Sequence, residues 1–476
     1  MVRRGSRTRN PLVVFKSLPR LLARTIRIPI ARYAQYKPDR IWGMAILTAM
    51  NQTSLEQTKR LQKQLHRSLT PPNIPSKRQA KKAKDARESR KAEEAEEAEE
   101  AGHVLSSPDT VLYHLHKLGV GELTQRFNQI IAQQVKEAKK RGMIPKTKTQ
   151  KGVVLALDTT TQPYYGKKKN RWVLGCKRKA GTNWAYTMAT IEVVEKNKRL
   201  CLAAQPVNQL VKIKKIVYRL VRAAKRHVKI RLLLLDRGFF SIEVIQSLNR
   251  HRIPWLMPVI KNKEIEEKVN AIYRERRTAV VSHILGDKKK RKGRRHVKIN
   301  LIILPPLKTA KTVKTTETTK TPKTAEEVDE EGPSVFATNM DVGQCTEDWP
   351  RPLVPLTPVE QESLWAQRLA EIYRKRWGIE TGYRVKKDFK AKTCSVCPSV
   401  RFVFFFLSII LYNVWVLING EDVSADREGE RHVGIMKGSG GVPRSGMAGM
   451  GILTTTTTRW LYILVLSPLL SLERWT

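Results

Sequence analysis

Three acidic residues stand out by type and by position. Asp158 follows the apolar run 153–157, and Asp236 follows the apolar run 230–235; each run reads as a short buried strand that ends in a carboxylate. A charge in such a place is costly unless it is paired or bound to a metal. Carboxylates at strand ends suit Mg2+ or Mn2+, which prefer oxygen ligands and keep positions open for water and phosphate. The third acid, Glu380, lies in a helical stretch among Arg374, Lys375, Arg376, Arg384, Lys386 and Lys387. Each acid alone has a plain alternative. Asp158 fits a turn before Thr159 and Thr160, Asp236 fits a turn before Gly238, and Glu380 fits ion pairs with cations three or four residues away. The combination of the three points to chemistry.

These carboxylates need elements that bring them together. Beyond residue 150, runs at 153–157, 172–176, 184–194, 230–235 and 255–259 read as strands, and 207–226 and 241–249 as helices. Strands alternating with helices make an α/β domain. Residues 358–388 read as one long helix, or two, and 334–338 as a further strand. The apolar run 402–418 sits at the lower length limit for crossing a membrane; it reads as a core helix buried on all sides. Upstream, Ser107 caps a helix whose first turn holds Pro108, and Val111, Leu112, Leu115 and Leu118 repeat at helical spacing. Gly119 and Gly121 break that run, and a second helix from Glu122 carries Leu123, Phe127, Ile130 and Ile131. A helix, a glycine turn and a helix suggest a helix-turn-helix DNA-binding unit, with a plain helical hairpin as the alternative.

The charge supports a nucleic-acid partner. The 476 residues hold 90 Lys and Arg against 43 Asp and Glu, a net charge of +47. A surplus of this size excludes an ordinary neutral metabolic enzyme as the default and calls for a polyanion. The first acid is Asp39, so the N-terminus reads as a basic arm, with a mitochondrial presequence as the alternative. Lys288, Lys289, Lys290 and Arg291 open a basic cluster that reads as a phosphate-binding loop, with a solvated loop as the alternative. Five scattered cysteines form no disulfide framework, and Cys394 and Cys397 have no second pair with which to build a zinc site. Trp255 reads as a core residue.

With these features in place, the chain resembles a known family. Tyr373-x2-Arg376-x3-Glu380-x6-Lys387 has the spacing of the Y-R-E-K signature of the IS-four group of DDE-class insertion-sequence transposases. Asp236-Arg237-Gly238-Phe239 is similar to that group's second-aspartate motif, and the strand before Asp158-Thr159-Thr160 to its first. The resemblance implies an α/β, RNase H-like catalytic core with a mostly β insertion, preceded by a helical N-terminal DNA-binding region. It makes Asp158, Asp236 and Glu380 the catalytic acids and the ligands of two Mg2+ or Mn2+ ions. Tyr373, Arg376, Lys387 and Arg237 become phosphate-binding residues. The partners implied are transposon-end DNA, target DNA and a second copy of the chain, with no membrane and no small-molecule substrate. The implied location is the cytoplasm, at the nucleoid.

The chain is expected to divide into seven segments. Residues 1–76 are a basic arm and helix, 77–104 a charged low-complexity linker, and 105–148 a helical DNA-binding region. The core occupies 149–260 and 334–419, separated by an insertion at 261–333 with a basic loop and a disordered Thr/Lys stretch. A tail of uncertain structure follows at 420–476. Two other functions fit the same residues: a catalytically inactive DNA-binding protein derived from a transposase, and an RNase H-like nuclease that cuts without joining.

Overall fold

The computed structural model describes residues 11–30, 36–69, 106–145, 152–167, 170–179, 181–195, 199–275, 277–286, 296–305, 333–344, 346 and 354–429. The linker at 77–104, the cations Lys288 to Arg291, the Thr/Lys stretch and the tail beyond 429 lie outside these residues.

The order of elements starts with helices α1 (Pro11–Thr25), α2 (Pro38–Met50), α3 (Leu55–Leu69), α4 (Pro108–His116) and α5 (Val120–Lys140). A meander follows: β1 (Val153–Pro163), β2 (Val173–Lys179), β3 (Thr182–Val193) and β4 (Cys201–Val207). Then come α6 (Ile213–Lys225), β5 (Ile230–Leu235), α7 (Ile242–Arg250), β6 (Trp255–Pro258), α8 (Lys263–Arg274), β7 (Ala279–Leu285), β8 (Val297–Leu304) and β9 (Ser334–Thr338). Helices α9 (Pro358–Arg374), α10 (Trp377–Lys387) and α11 (Pro398–Gly429) close the described chain.

The nine strands of the described residues join one mixed sheet in the order β2-β3-β1-β5-β6-β9-β8-β7, with β4 also beside β3. Strands β1, β5 and β6 run parallel, and the other pairings are antiparallel. The region expected as an insertion therefore contributes β7 and β8 to the main sheet, joined to it through β9 of the expected core. The short runs give the reason. β8 buries Ile299, Leu301 and Ile303 on one side and Ile302 and Leu304 on the other, so it needs cover on both faces.

Two apolar layers sandwich the sheet. Leu155, Leu157, Leu233 and Leu235 face one layer with α6 and α7; Val154, Ala156, Leu232 and Leu234 face the other with α9. That alternation is the period-two pattern of a strand buried on both sides. Close approach is needed where β1 enters beside β5: a Cβ on Gly152 would meet Arg231 N at 2.8 Å.

The helical segment α4–α5 is packed into this body. Ser107 Oγ accepts from Thr110 N at 3.1 Å and Pro108 opens the helix, as the sequence predicts. Gly119 is the N-cap of α5, which starts at Val120, so Gly121 lies inside the first turn and does not delay the helix to Glu122. Phe127 of α5 stacks on Phe406 of α11 with ring centroids 4.8 Å apart. The run 402–418 is thus the core helix expected; it is apolar and long enough to cross a membrane, but most of it is buried against the other elements.

Strand β4 was absent from the sequence reading, which placed a helix over 207–226. The structure ends β4 at Val207 and starts α6 at Ile213. Its outer edge is closed by two asparagines. Asn128 of α5 accepts from Ala204 N at 3.0 Å and donates to Ala204 O at 2.8 Å. Asn413 of α11 does the same to Cys201, at 3.0 Å in both directions. Each side-chain amide thus substitutes for a neighbouring strand and protects an edge that would otherwise pair with another chain.

Candidate active site

The register of β1 and β5 brings the first two acids together. Leu157 and Leu235 are the last paired residues of these parallel strands, so Asp158 and Asp236 are neighbours at their carboxyl ends. β1 itself does not stop at Asp158; it continues to Pro163 as the antiparallel partner of β3, with Asp158 opposite Thr190. Thr159 N donates to Asp158 Oδ1 at 2.7 Å. Asp236 caps a single 3₁₀ turn, Arg237–Phe239.

The third acid arrives on a broken helix. The stretch 358–388 forms two helices, with Lys375 ending α9 and Arg376 starting α10. A capping box fixes the start of α9: Thr357 Oγ1 accepts from Glu360 N, and Glu360 Oε2 accepts from Thr357 N. The break puts Glu380 in the first turn of α10. Arg376 then spans the site. Its Nη1 donates to Asp158 Oδ2 at 3.2 Å and its Nη2 to Glu380 Oε1 at 3.0 Å. Arg376 Nε is buried without a hydrogen-bond partner among the described residues.

The Asp158 carboxyl is held above the ordinary carboxylate range. Burial pushes it up to about 6; the Thr159 N–H and Arg376 oppose this, while Asp236 and Glu380 add to the rise. Burial works against the charge on Arg376, but Tyr373 and the three carboxylates outweigh it and hold the guanidinium charged. The acids differ in access: the Asp158 side chain is 13 % exposed and that of Glu380 54 %.

An open cavity of about 590 Å³ is lined by Asp236, Arg237, Tyr373, Arg376 and Lys177. Two expected phosphate ligands are placed differently. The Tyr373 hydroxyl is buried and donates to Leu235 O at 3.1 Å, so it ties α9 to the end of β5 just before Asp236. Lys387 is not among the residues that line this cavity, and neither is Glu380, seven residues before it on the same helix. Lys387 is exposed two turns further along α10 and lines a separate groove of about 1100 Å³, with Thr161 and Gln162 of β1, Lys390, Lys392 and Arg401. Trp255 is a core residue, fully buried, with Nε1 donating to Asn249 Oδ1 at 2.8 Å.

The sequence reading missed the group that seats α10. Lys386, beside Lys387, is buried and pairs with Glu192 of β3. Thr190 Oγ1 donates to Glu192 Oε1 at 2.8 Å and lies 2.6 Å from Tyr383 Oη, which donates to Asp158 O at 3.2 Å. A Cβ on Gly382 would stand 3.3 Å from Glu192 Oε2, so glycine allows this close seat. The available signal was Glu192, the one charged residue of β3, at a buried position.

Residues 149–414 match the family profile of the transposase DDE domain. The chain belongs to the DDE transposase family. Enzymes of this family are DNA transposases, and they use divalent metal ions. A solved structure similar to this DDE transposase is that of a piggyBac transposase synaptic complex with hairpin DNA. The identity is 12 %, the TM-score 0.47, and the alignment covers 100 % of this chain and 84 % of that one. No curated protein matches the chain.

The residues present fit a hard divalent cation. Three carboxylates act on one another across the site, and the cation between two of them is the Arg376 guanidinium. No group of three potential ligands is assembled into a metal cage among the described residues. Arg376 occupies one oxygen of Asp158 and one of Glu380.

Proposed function

We propose that this DDE transposase cuts and joins DNA at the ends of its own insertion sequence, with Asp158, Asp236 and Glu380 as the catalytic acids. The observation that carries the reading is the convergence of these acids. Asp158 and Asp236 end adjacent parallel strands, and Arg376 links Asp158 to Glu380. The fold proposed is RNase H-like. Its support is the order β4-β3-β1-β5-β6, three antiparallel strands followed by two parallel ones with a helix before each.

The reaction has two in-line displacements at phosphorus. A water oxygen attacks a phosphodiester and the 3′-oxygen leaves as a hydroxyl; that hydroxyl then attacks a phosphodiester of target DNA. Two Mg2+ or Mn2+ ions held by the three carboxylates would activate the attacking oxygen and stabilise the leaving one. Arg376, released from a carboxylate, is placed to hold a phosphate oxygen with its two-pronged fork. Arg237 and Lys177 on the cavity wall add positive charge beside Asp236. Tyr373 positions the strand end through its bond to Leu235 O. Lys387 holds the DNA backbone further along β1, where Thr161 and Gln162 line the same groove. The proposed assembly is a homodimer on two transposon ends, acting on nucleoid DNA in the cytoplasm.

The test is a joining assay. Purified protein, Mg2+ or Mn2+, the gene's own DNA with flanking sequence, and a supercoiled target plasmid are incubated together. Products in which a flanking end is covalently linked to the plasmid support a transposase. Cut ends without joined products point to a nuclease, and DNA binding without cutting to an inactive derivative.

A further inference from the structure

A groove unrelated to the active-site cavity lies between α5 and α6. It measures about 880 Å³, and its floor is Leu202 to Gln205 of the edge strand β4. Lys215, Arg219, Arg222 and Arg226 line one wall, and Gln125, Gln129 and Lys136 the other. No acid lines it. The α6 helix, Ile213–Lys225, contains no acidic residue at all. Its cations recur at intervals of four, three and four residues, so they form one stripe about 16 Å long on a single helix face. Lys136, Lys215, Arg219, Arg222 and Arg226 are exposed, and no salt bridge holds any of them among the described residues. The acids of α5 are engaged elsewhere: Glu122 with Arg126, and Glu137 with Lys140 and Arg141.

Placement separates this groove from the reacting centre. It shares no lining residue with the cavity of Asp236. α6 packs on the sheet face of Leu155 and Leu157, whereas Asp158 continues the Val154 and Ala156 face that α9 covers. The cations here do not serve the acids. Their combined field does reach His227 at the groove end: burial lowers its pKa, and Lys139, Arg226 and Lys136 lower it further.

We infer that the α5–α6 groove is a second DNA-binding surface, which holds the phosphate backbone of duplex DNA without reading its sequence, at a distance from the phosphodiester being cut. The inference rests on the transposase reading. A stripe about 16 Å long faces several phosphates of a duplex, which carries one charge per about 1.7 Å of axis. Arginine is suited to phosphate, and the glutamines opposite donate to phosphate oxygens without adding charge. The cations are strung along one helix face at the spacing of a backbone rather than gathered on one base edge, so the contribution assigned to them is affinity.

The experiment measures DNA binding of the full chain by fluorescence anisotropy over a series of salt concentrations, with a flanking-end duplex and an unrelated duplex. The variant is Arg219→Gln with Arg222→Gln, both on exposed positions. The control removes two cations elsewhere, Lys263→Gln with Arg274→Gln on α8. Loss of two phosphate contacts should lower the salt slope by roughly 1.8 and weaken binding about tenfold or more at moderate salt, for both duplexes alike. The control should change the slope by less than half as much. An unchanged slope in the α6 variant, or an equal fall in the control, overturns the groove. If that happens while the wild-type chain still cuts and joins DNA, the groove is wrong and the transposase reading stands. A wild-type chain that binds no DNA overturns both.

Discussion

Arg376, the N-cap of α10, donates to Asp158 Oδ2 at 3.2 Å, and the same guanidinium reaches Glu380. An internal cation therefore bridges two of the three acids. Removing it leaves Asp158 buried and unpaired. Arg376→Ala should lower the unfolding free energy without metal by about 2 kcal/mol, less than for a fully buried pair because Glu380 is half exposed. Mn2+ should then stabilise the variant more than the wild type, since the ion no longer competes with the guanidinium. For scale, an ion at a hundred times its dissociation constant stabilises by about 2.7 kcal/mol. Equal Mn2+ shifts in thermal melts of the two proteins would contradict the competition.

Asp158 predicts a pH dependence with a definite sign. Its folded pKa is raised to about 6, so the native state binds a proton that the unfolded chain has released. Stability from this group is present at low pH and lost as pH rises from about 4 to about 6. Asp158→Asn carries no such loss. In chelator, the stability of the variant relative to wild type should rise by about 3 kcal/mol between pH 4 and pH 7, as read from urea unfolding. A difference that stays flat across this range would mean that the carboxyl is not perturbed.

The buried pair of Lys386 and Glu192 should be a stability element that seats α10. Lys386→Met leaves Glu192 buried without its cation and should cost about 3–5 kcal/mol. Adding Glu192→Leu should recover much of that loss, because no unpaired charge remains. A double-mutant cycle with no coupling between the two positions would remove the pair from the account.

The edge closure of β4 makes a fourth prediction. Asn413→Leu keeps the volume but strips both hydrogen-bond partners from Cys201 N and O, and one from Gln134 Oε1. The expected cost is about 2–3 kcal/mol, with a gain in concentration-dependent self-association as the strand edge opens. Light scattering and unfolding of the variant, each at two protein concentrations, would show both. Unchanged stability would mean that the edge needs no cover.

The strands that carry the acids were legible because each is a run of apolar residues with a carboxylate at its end. Register was not: the pairing of Leu157 with Leu235, which makes Asp158 and Asp236 neighbours, is a contact far apart in sequence. The break at Lys375 and Arg376 was hidden because both residues favour helix, and both keep helical backbone angles there. The different roles of two adjacent lysines were equally hidden: Lys386 is buried against Glu192, and Lys387 lines the neighbouring groove. Strand β4 was missed because Ala203, Ala204 and Gln205 carry little strand propensity; two asparagines distant in sequence hold it.

Asp158, Asp236 and Glu380 are proposed to form one metal-dependent cutting site. The most direct measurement incubates the gene's own DNA with a few hundred flanking base pairs and the purified chain, with and without Mg2+ or Mn2+, and maps new ends by sequencing. Asp236→Asn and Glu380→Gln are run beside the wild type, with DNA binding measured for each. The account predicts breaks at discrete flanking positions that require the ion and vanish in both variants while binding persists. Breaks that survive in either variant, or that form in chelator, would contradict it.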